Sequence, residues 1–123
     1  MSEVGVVETQ ERLDRAWAWV DAAEALWSTR IDAGRLDEGV FFVGDCTYVL
    51  IVLQEAGCRP QAVEVDSAGV SPAECLARAE AELDAIDPGQ RPTLLLPARA
   101  ELRALVVRVP AEDAPSVRRA GGI

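Results

Sequence analysis

The sequence predicts an α+β domain, with helices packed on one face of a small sheet in the order α-α-β-α-β-β. Three observations carry that reading. A helical apolar stripe runs through residues 9–33, QAVEVD (61–66) alternates as a half-buried strand does, and TLLL (93–96) and ELRALVVRV (101–109) are short apolar runs of strand-like composition. A mostly helical chain is the alternative. Residues 1–110 read as a single domain, since 123 residues suffice for one core and little more, and residues 111–123 read as a mobile tail.

The first helix is expected from about Thr9 to Ala33. At 100° per residue, Leu13, Ala16, Trp17, Val20, Trp27 and Ile31 share one face, and Asp14, Asp21, Ser28 and Asp32 share the opposite one. Gly34 is a natural stop, followed by the polar loop GRLDEG. The next segment has two readings. Asp45 is a good N-cap for a helix over 45–56 that closes at Gly57 with Cys58 packing back on Leu53, and LQEAGCRP has the grammar of a helix end. VFFV-GD-CTYVLIVL is also a legitimate hairpin signal over 40–53. The third helix is the best signed: Ser71 caps it, Pro72 opens it, Glu74 completes a capping box, and Val70 with Cys75 forms a hydrophobic staple. Leu76, Ala79, Leu83 and Ile86 form its buried face, and Asp87-Pro88-Gly89 ends it. For residues 101–109 both helix and strand fit, and the composition of ALVVRVP favours the strand.

Composition excludes several chemistries. The chain has no His, Lys or Asn. Without His there is no Ser-His or Cys-His couple and no imidazole ligand; without Lys there is no Schiff base and no phosphate-loop lysine. No metal site and no cofactor are expected. Every base is Arg and Ala is abundant, as in a GC-rich bacterial genome. The net charge is −9, and the acids outnumber the bases most strongly over residues 41–90, with 9 against 2. Such a surface repels nucleic acid and suits a basic protein or peptide partner. The longest apolar run, Tyr48 to Leu53, is far short of the roughly 20 residues of a membrane span. The acidic N-terminus lacks a secretory pattern, and the expected location is the cytoplasm.

Cys46, Cys58 and Cys75 show no C-x-x-C spacing. If residues 45–56 are helical, Cys46 and Cys58 stand about 18 Å apart along the axis, too far for a bridge. Cys46 has only carboxylates beside it, which oppose thiolate formation, so it reads as a small core hydrophobe and no catalytic residue is assigned. The candidate binding residues are Trp19, Glu24, Leu26, Arg30 and Tyr48. Trp19 and Leu26 lie about 100° from the core stripe beside Arg12, Arg15 and Arg30, a composition typical of interface hot spots, with a homodimer as the simplest partner. Glu24 falls inside the apolar stripe and needs a partner, such as Arg99 or Arg103, or a ligand. The function these features point to is a small acidic, non-catalytic binding protein of the inhibitor, immunity or accessory kind. The rival is a small cofactor-free enzyme that holds a peptide or natural product in reactive conformation with carboxylates, Arg and Tyr48.

Overall fold

The computed structural model describes residues 3–34 and 39–109. It contains four α-helices, α1 (Glu3–Asp32), α2 (Gly39–Glu55), α3 (Pro72–Asp84) and α4 (Leu95–Arg108), and a 3₁₀ turn at Pro88–Gln90. No strand occurs among the described residues, so the expected α+β class is corrected to an all-helical one. The tail at 111–123 and the loop residues 35–38 lie outside the described residues.

Each misread strand has a physical reason. In TLLL only Leu95 is buried, while Leu94 and Leu96 are exposed. Leu95, Ala98, Leu102, Leu105 and Val109 recur at intervals of three and four, and this single buried stripe runs through both predicted strands. Burial along it outweighs the strand propensity of Val106, Val107 and Val109. Pro97 sits in the first turn, where its missing N–H is harmless, and no side chain caps the start of α4. Val109 is extended, as the residue before a proline prefers. In α2, Cys46, Val49, Leu50, Leu53 and Ala56 are buried at helical spacing, which removes the hairpin reading of 40–53. The helix starts at Gly39, so Asp45 and Cys46 lie in its middle rather than at its cap.

The caps read from the sequence are largely present. Gly57 is at φ 108°, and Cys58 N–H donates to the Leu53 carbonyl at 3.0 Å, with Gly57 N–H on that of Gln54 at 3.0 Å. This is a Schellman closure that only glycine adopts without strain. Ser71 Oγ accepts the Glu74 N–H at 3.1 Å, but the Glu74 carboxylate turns to Arg78 at 3.2 Å, leaving half a capping box.

Contacts at successive levels give the directions of neighbouring helices. Arg12 and Arg15 of α1 hold Glu82 of α3, at 3.1 and 2.9 Å, while Trp19 carries Arg78 on its ring, so α1 and α3 run antiparallel. Trp27 stacks on Phe42 and Gln10 reaches Gly57, so α1 and α2 are antiparallel too. Asp84 pairs with Arg99 and Glu80 with Arg103, which sets α4 against α3. Arg108 meets Asp45 of α2 at 3.1 Å. Among the described residues α1 and α4 each touch both α2 and α3 but not one another, the ring of a four-helix bundle.

Because α2 and α3 both run against α1, the chain between them must return along the bundle. Residues 58–71 do this on the open side of α1. They start where Arg59 grips Asp14 and continue past Trp17, Ala18, Asp21 and Ala22. QAVEVD therefore does alternate, with Val63 and Val65 half-buried and Glu64 and Asp66 exposed, but against a helix and not within a sheet. With this crossover in place residues 16–20 of α1 are all buried. The side of α1 expected to be polar is covered, and Asp14 is only 1% exposed.

Asp14 receives Gln10 Nε2 at 2.8 Å, Arg59 N–H at 3.0 Å, and the Arg59 guanidinium at 3.0 and 2.6 Å. Burial alone would push its carboxyl up; the hydrogen bonds from Arg59 and Gln10 outweigh that and hold it below the ordinary 3.8. A lowered folded pKa makes this stabilisation present above the unfolded value and lost as pH falls through the folded one. Asp14→Asn is thus expected to cost about 2 kcal/mol at neutral pH and to flatten the decline in stability below about pH 4, measured by urea unfolding across pH. Ser71→Ala should lower stability by about 1 kcal/mol in the same assay.

Candidate functional site

The structure does not gather the five predicted binding residues into one place. Trp19 lies between α1 and α3, 8% exposed, with the Arg78 guanidinium 5.0 Å above its ring. The arginines that flank it in sequence, Arg12 and Arg15, are held by Glu82. This edge of α1 is closed by the fold's own third helix. Leu26 is half-buried against the core and Arg30 is half-buried. Glu24 sits at the seam of α1 and α2 and accepts a short hydrogen bond from the Thr47 hydroxyl. Arg99 and Arg103, the partners expected for it, are engaged with Asp84 and Glu80 instead. Their helix, α4, does not touch α1 among the described residues.

Tyr48 is the predicted residue that stands out from the surface, and it does not stand alone. On α2 Phe41, Tyr48 and Ile51 are 76%, 53% and 50% exposed. Phe41, Gly44, Tyr48 and Ile51 follow one another at spacings of three, four and three, which lines them along one face of the helix. A Cβ added at Gly44 would meet no atom of the described residues within 4 Å. The acid nearest this stripe in sequence, Asp45, is paired with Arg108. The result is an apolar ridge with a notch in it, turned away from the core residues Cys46, Val49, Leu50 and Leu53.

A second feature lies between α1 and the crossover. It is a cleft of about 570 Å³ with Trp17, Asp21 and Ala22 on one wall and Gln61, Glu64 and Ser67 on the other. Among the described residues no basic side chain lines it. Burial pushes the Asp21 carboxyl up, and the negative charge of Glu24 adds to the shift. Trp17 is buried, and its indole Nε1–H has no hydrogen-bond partner. Along the opposite wall the peptide groups of residues 62–65 are likewise unpaired within the described chain.

The thiols stand apart from both features. Cys46, Cys58 and Cys75 are buried and unbridged. Burial pushes Cys46 and Cys58 up to about 12 and Cys75 to about 11, so all three stay protonated at neutral pH. Glu24 and Asp45 add to the shift at Cys46.

The ridge was legible in principle, because α2 taken as one helix has an apolar residue on nearly every side. Reading the helix from Asp45 hid Phe41 and Gly44. The cleft was not legible, because its walls meet only through the crossover's path. Comparison with protein-family models, curated proteins and solved structures returns no match.

Trp19 now admits a direct test. A truncation in a packed interface removes burial and leaves a cavity, so Trp19→Ala should lower the unfolding free energy by about 3 kcal/mol or more. The fraction that remains folded should sediment as the parent protein does.

Proposed function

We propose that the chain is a small, non-catalytic, bacterial protein-binding module whose contact face is the outward ridge of α2, and that its first partner is a second copy of itself. The observation that carries the reading is the exposure of Phe41, Tyr48 and Ile51 along one helical line with Gly44 open between them. A glycine inside a helix costs about 1 kcal/mol against alanine, and no intramolecular neighbour requires one at position 44. A close-approaching aromatic does. Two α2 helices laid antiparallel about the level of Cys46 seat Tyr48 in the partner's Gly44 notch and Phe41 against the partner's Ile51. Each residue then contacts its counterpart reciprocally, as a two-fold interface demands. Aromatic anchors at the centre of such a contact carry much of its energy. Among the described residues no helix is long and apolar enough to cross a membrane. Three free thiols suit a reducing compartment, which supports the cytoplasm as the location.

Gly44→Leu separates this reading from a structural role. It fills the notch with a good helix former in open space, so the unfolding midpoint should hold or rise while self-association weakens by at least about tenfold in sedimentation equilibrium. Phe41→Glu should weaken it similarly. Because each copy is strongly acidic, added salt should strengthen association of the parent protein. A parent protein that stays monomeric, or a Gly44→Leu variant that associates undiminished, rejects this face.

A further inference from the structure

We infer that the cleft between α1 and the crossover is a docking site for an extended peptide carrying a basic side chain, which pairs its backbone with residues 62–65. The inference rests on reading the chain as a binding protein, but it is independent of the α2 ridge. Three observations with different physical origins point to the same occupant.

The first is the unpaired backbone. Neither the N–H nor the carbonyl groups of residues 62–65 find a partner within the described chain. A run that alternates half-buried and exposed side chains while leaving its peptide groups open presents an unpaired backbone edge. Such an edge is completed by an extended segment whose main-chain hydrogen bonds supply affinity and whose alternate side chains supply specificity.

The second is charge. Asp21 and Glu64 line the cleft, and among the described residues no base does. Asp66 follows on the exposed side of the same run. Burial and the neighbouring charge of Glu24 both disfavour the Asp21 carboxylate where it stands. Arg or Lys from the occupant would compensate it, and Arg does so with paired hydrogen bonds.

The third is Trp17. Trp17 lines the cleft, is 7% exposed, and has an indole N–H without an acceptor among the described residues. Buried donors are nearly always satisfied, and a peptide carbonyl entering the cleft is the acceptor this one lacks. The N–H is covered in this structure, so an occupant reaches it only when its surroundings shift, and among the described residues no backbone hydrogen bond ties 62–65 to the bundle.

The probe is a capped five-residue peptide alternating arginine and valine, labelled for fluorescence anisotropy and titrated with the full chain at low salt. Binding is expected, with a glutamate-for-arginine peptide weaker by at least about tenfold. An N-methylated version, which keeps the charge but blocks alternate backbone donors, should lose a similar factor. Asp21→Asn should weaken binding by about tenfold without lowering the unfolding midpoint, since the carboxylate it removes is disfavoured in the fold. Phe41→Glu should bind the peptide as the parent does, which keeps failure of the α2 interface distinct from failure here. No binding to the arginine peptide by the folded protein overturns the inference. So does undiminished binding of the N-methylated peptide, which would show attraction by charge alone, or undiminished binding by Asp21→Asn.

Discussion

The clamp on Asp14 is the constraint from which the rest of the architecture follows. With α2 and α3 both antiparallel to α1, the chain leaving α2 has to travel back along the bundle before α3 can begin. The Schellman turn at Gly57 releases it beside the first half of α1, and there Asp14 takes both the backbone N–H and the guanidinium of Arg59. Gln10 uses one amide group to donate to Asp14 and to the Gly57 carbonyl, at 2.8 and 3.0 Å, joining the turn to the clamp. A buried carboxylate with these donors is stable only if the crossover starts at this level of α1. Everything downstream inherits that choice: the covered side of α1, the burial of Trp17, and the cleft whose second wall is the crossover itself.

The arginines act on the same principle at other seams. Glu82 joins α3 to α1 through Arg12 and Arg15, Arg99 and Arg103 join α4 to α3, and Arg108 joins α4 to α2. Exposed pairs of this kind are individually worth about 0–1 kcal/mol. Their effect is on register, because a helix slid by one turn would separate at least one of these pairs. They also explain the outward acidity. Arg12, Arg15, Arg99, Arg103 and Arg108 are turned toward neighbouring helices, while acids such as Glu55, Glu64 and Asp66 remain on the surface.

How much of this was legible from the sequence depends on whether a feature is local. The Ser71–Pro72 start of α3, the Gly57 closure and the stop at Gly34 each involve a few neighbouring residues and are found as read, while the Glu74 carboxylate leaves the expected box for Arg78. The alternation in QAVEVD was also real, but period two reports an extended chain with one side covered, and a helix can cover it as well as a sheet can. The Leu95–Leu105 stripe was cut in two by reading strand composition in short windows. Asp14 was hidden for a deeper reason. A helical projection shows one helix against an unspecified core, and nothing in residues 9–33 signals that Arg59, 45 positions away, will cover the polar side. The same reasoning applies to Trp19. The projection placed it correctly on a second apolar edge, but the occupant of that edge was α3.

The energetics of α2 then connect fold to function. A bundle helix ordinarily turns a polar face to solvent, and the described residues of α2 between Phe41 and Leu53 include a single charged side chain, Asp45, which is paired to α4. Its inner face supplies Cys46, Val49, Leu50 and Leu53 to the core, so the helix is already anchored without Phe41, Tyr48 or Ile51. Those outer side chains remain largely in water after folding, and the hydrophobic effect rewards them little for it, since it scales with area removed from solvent. Polar residues at the same three positions would leave the core intact and the protein more soluble. Their area acquires energetic value only when a second surface covers it, which is why the ridge is better explained by contact than by folding.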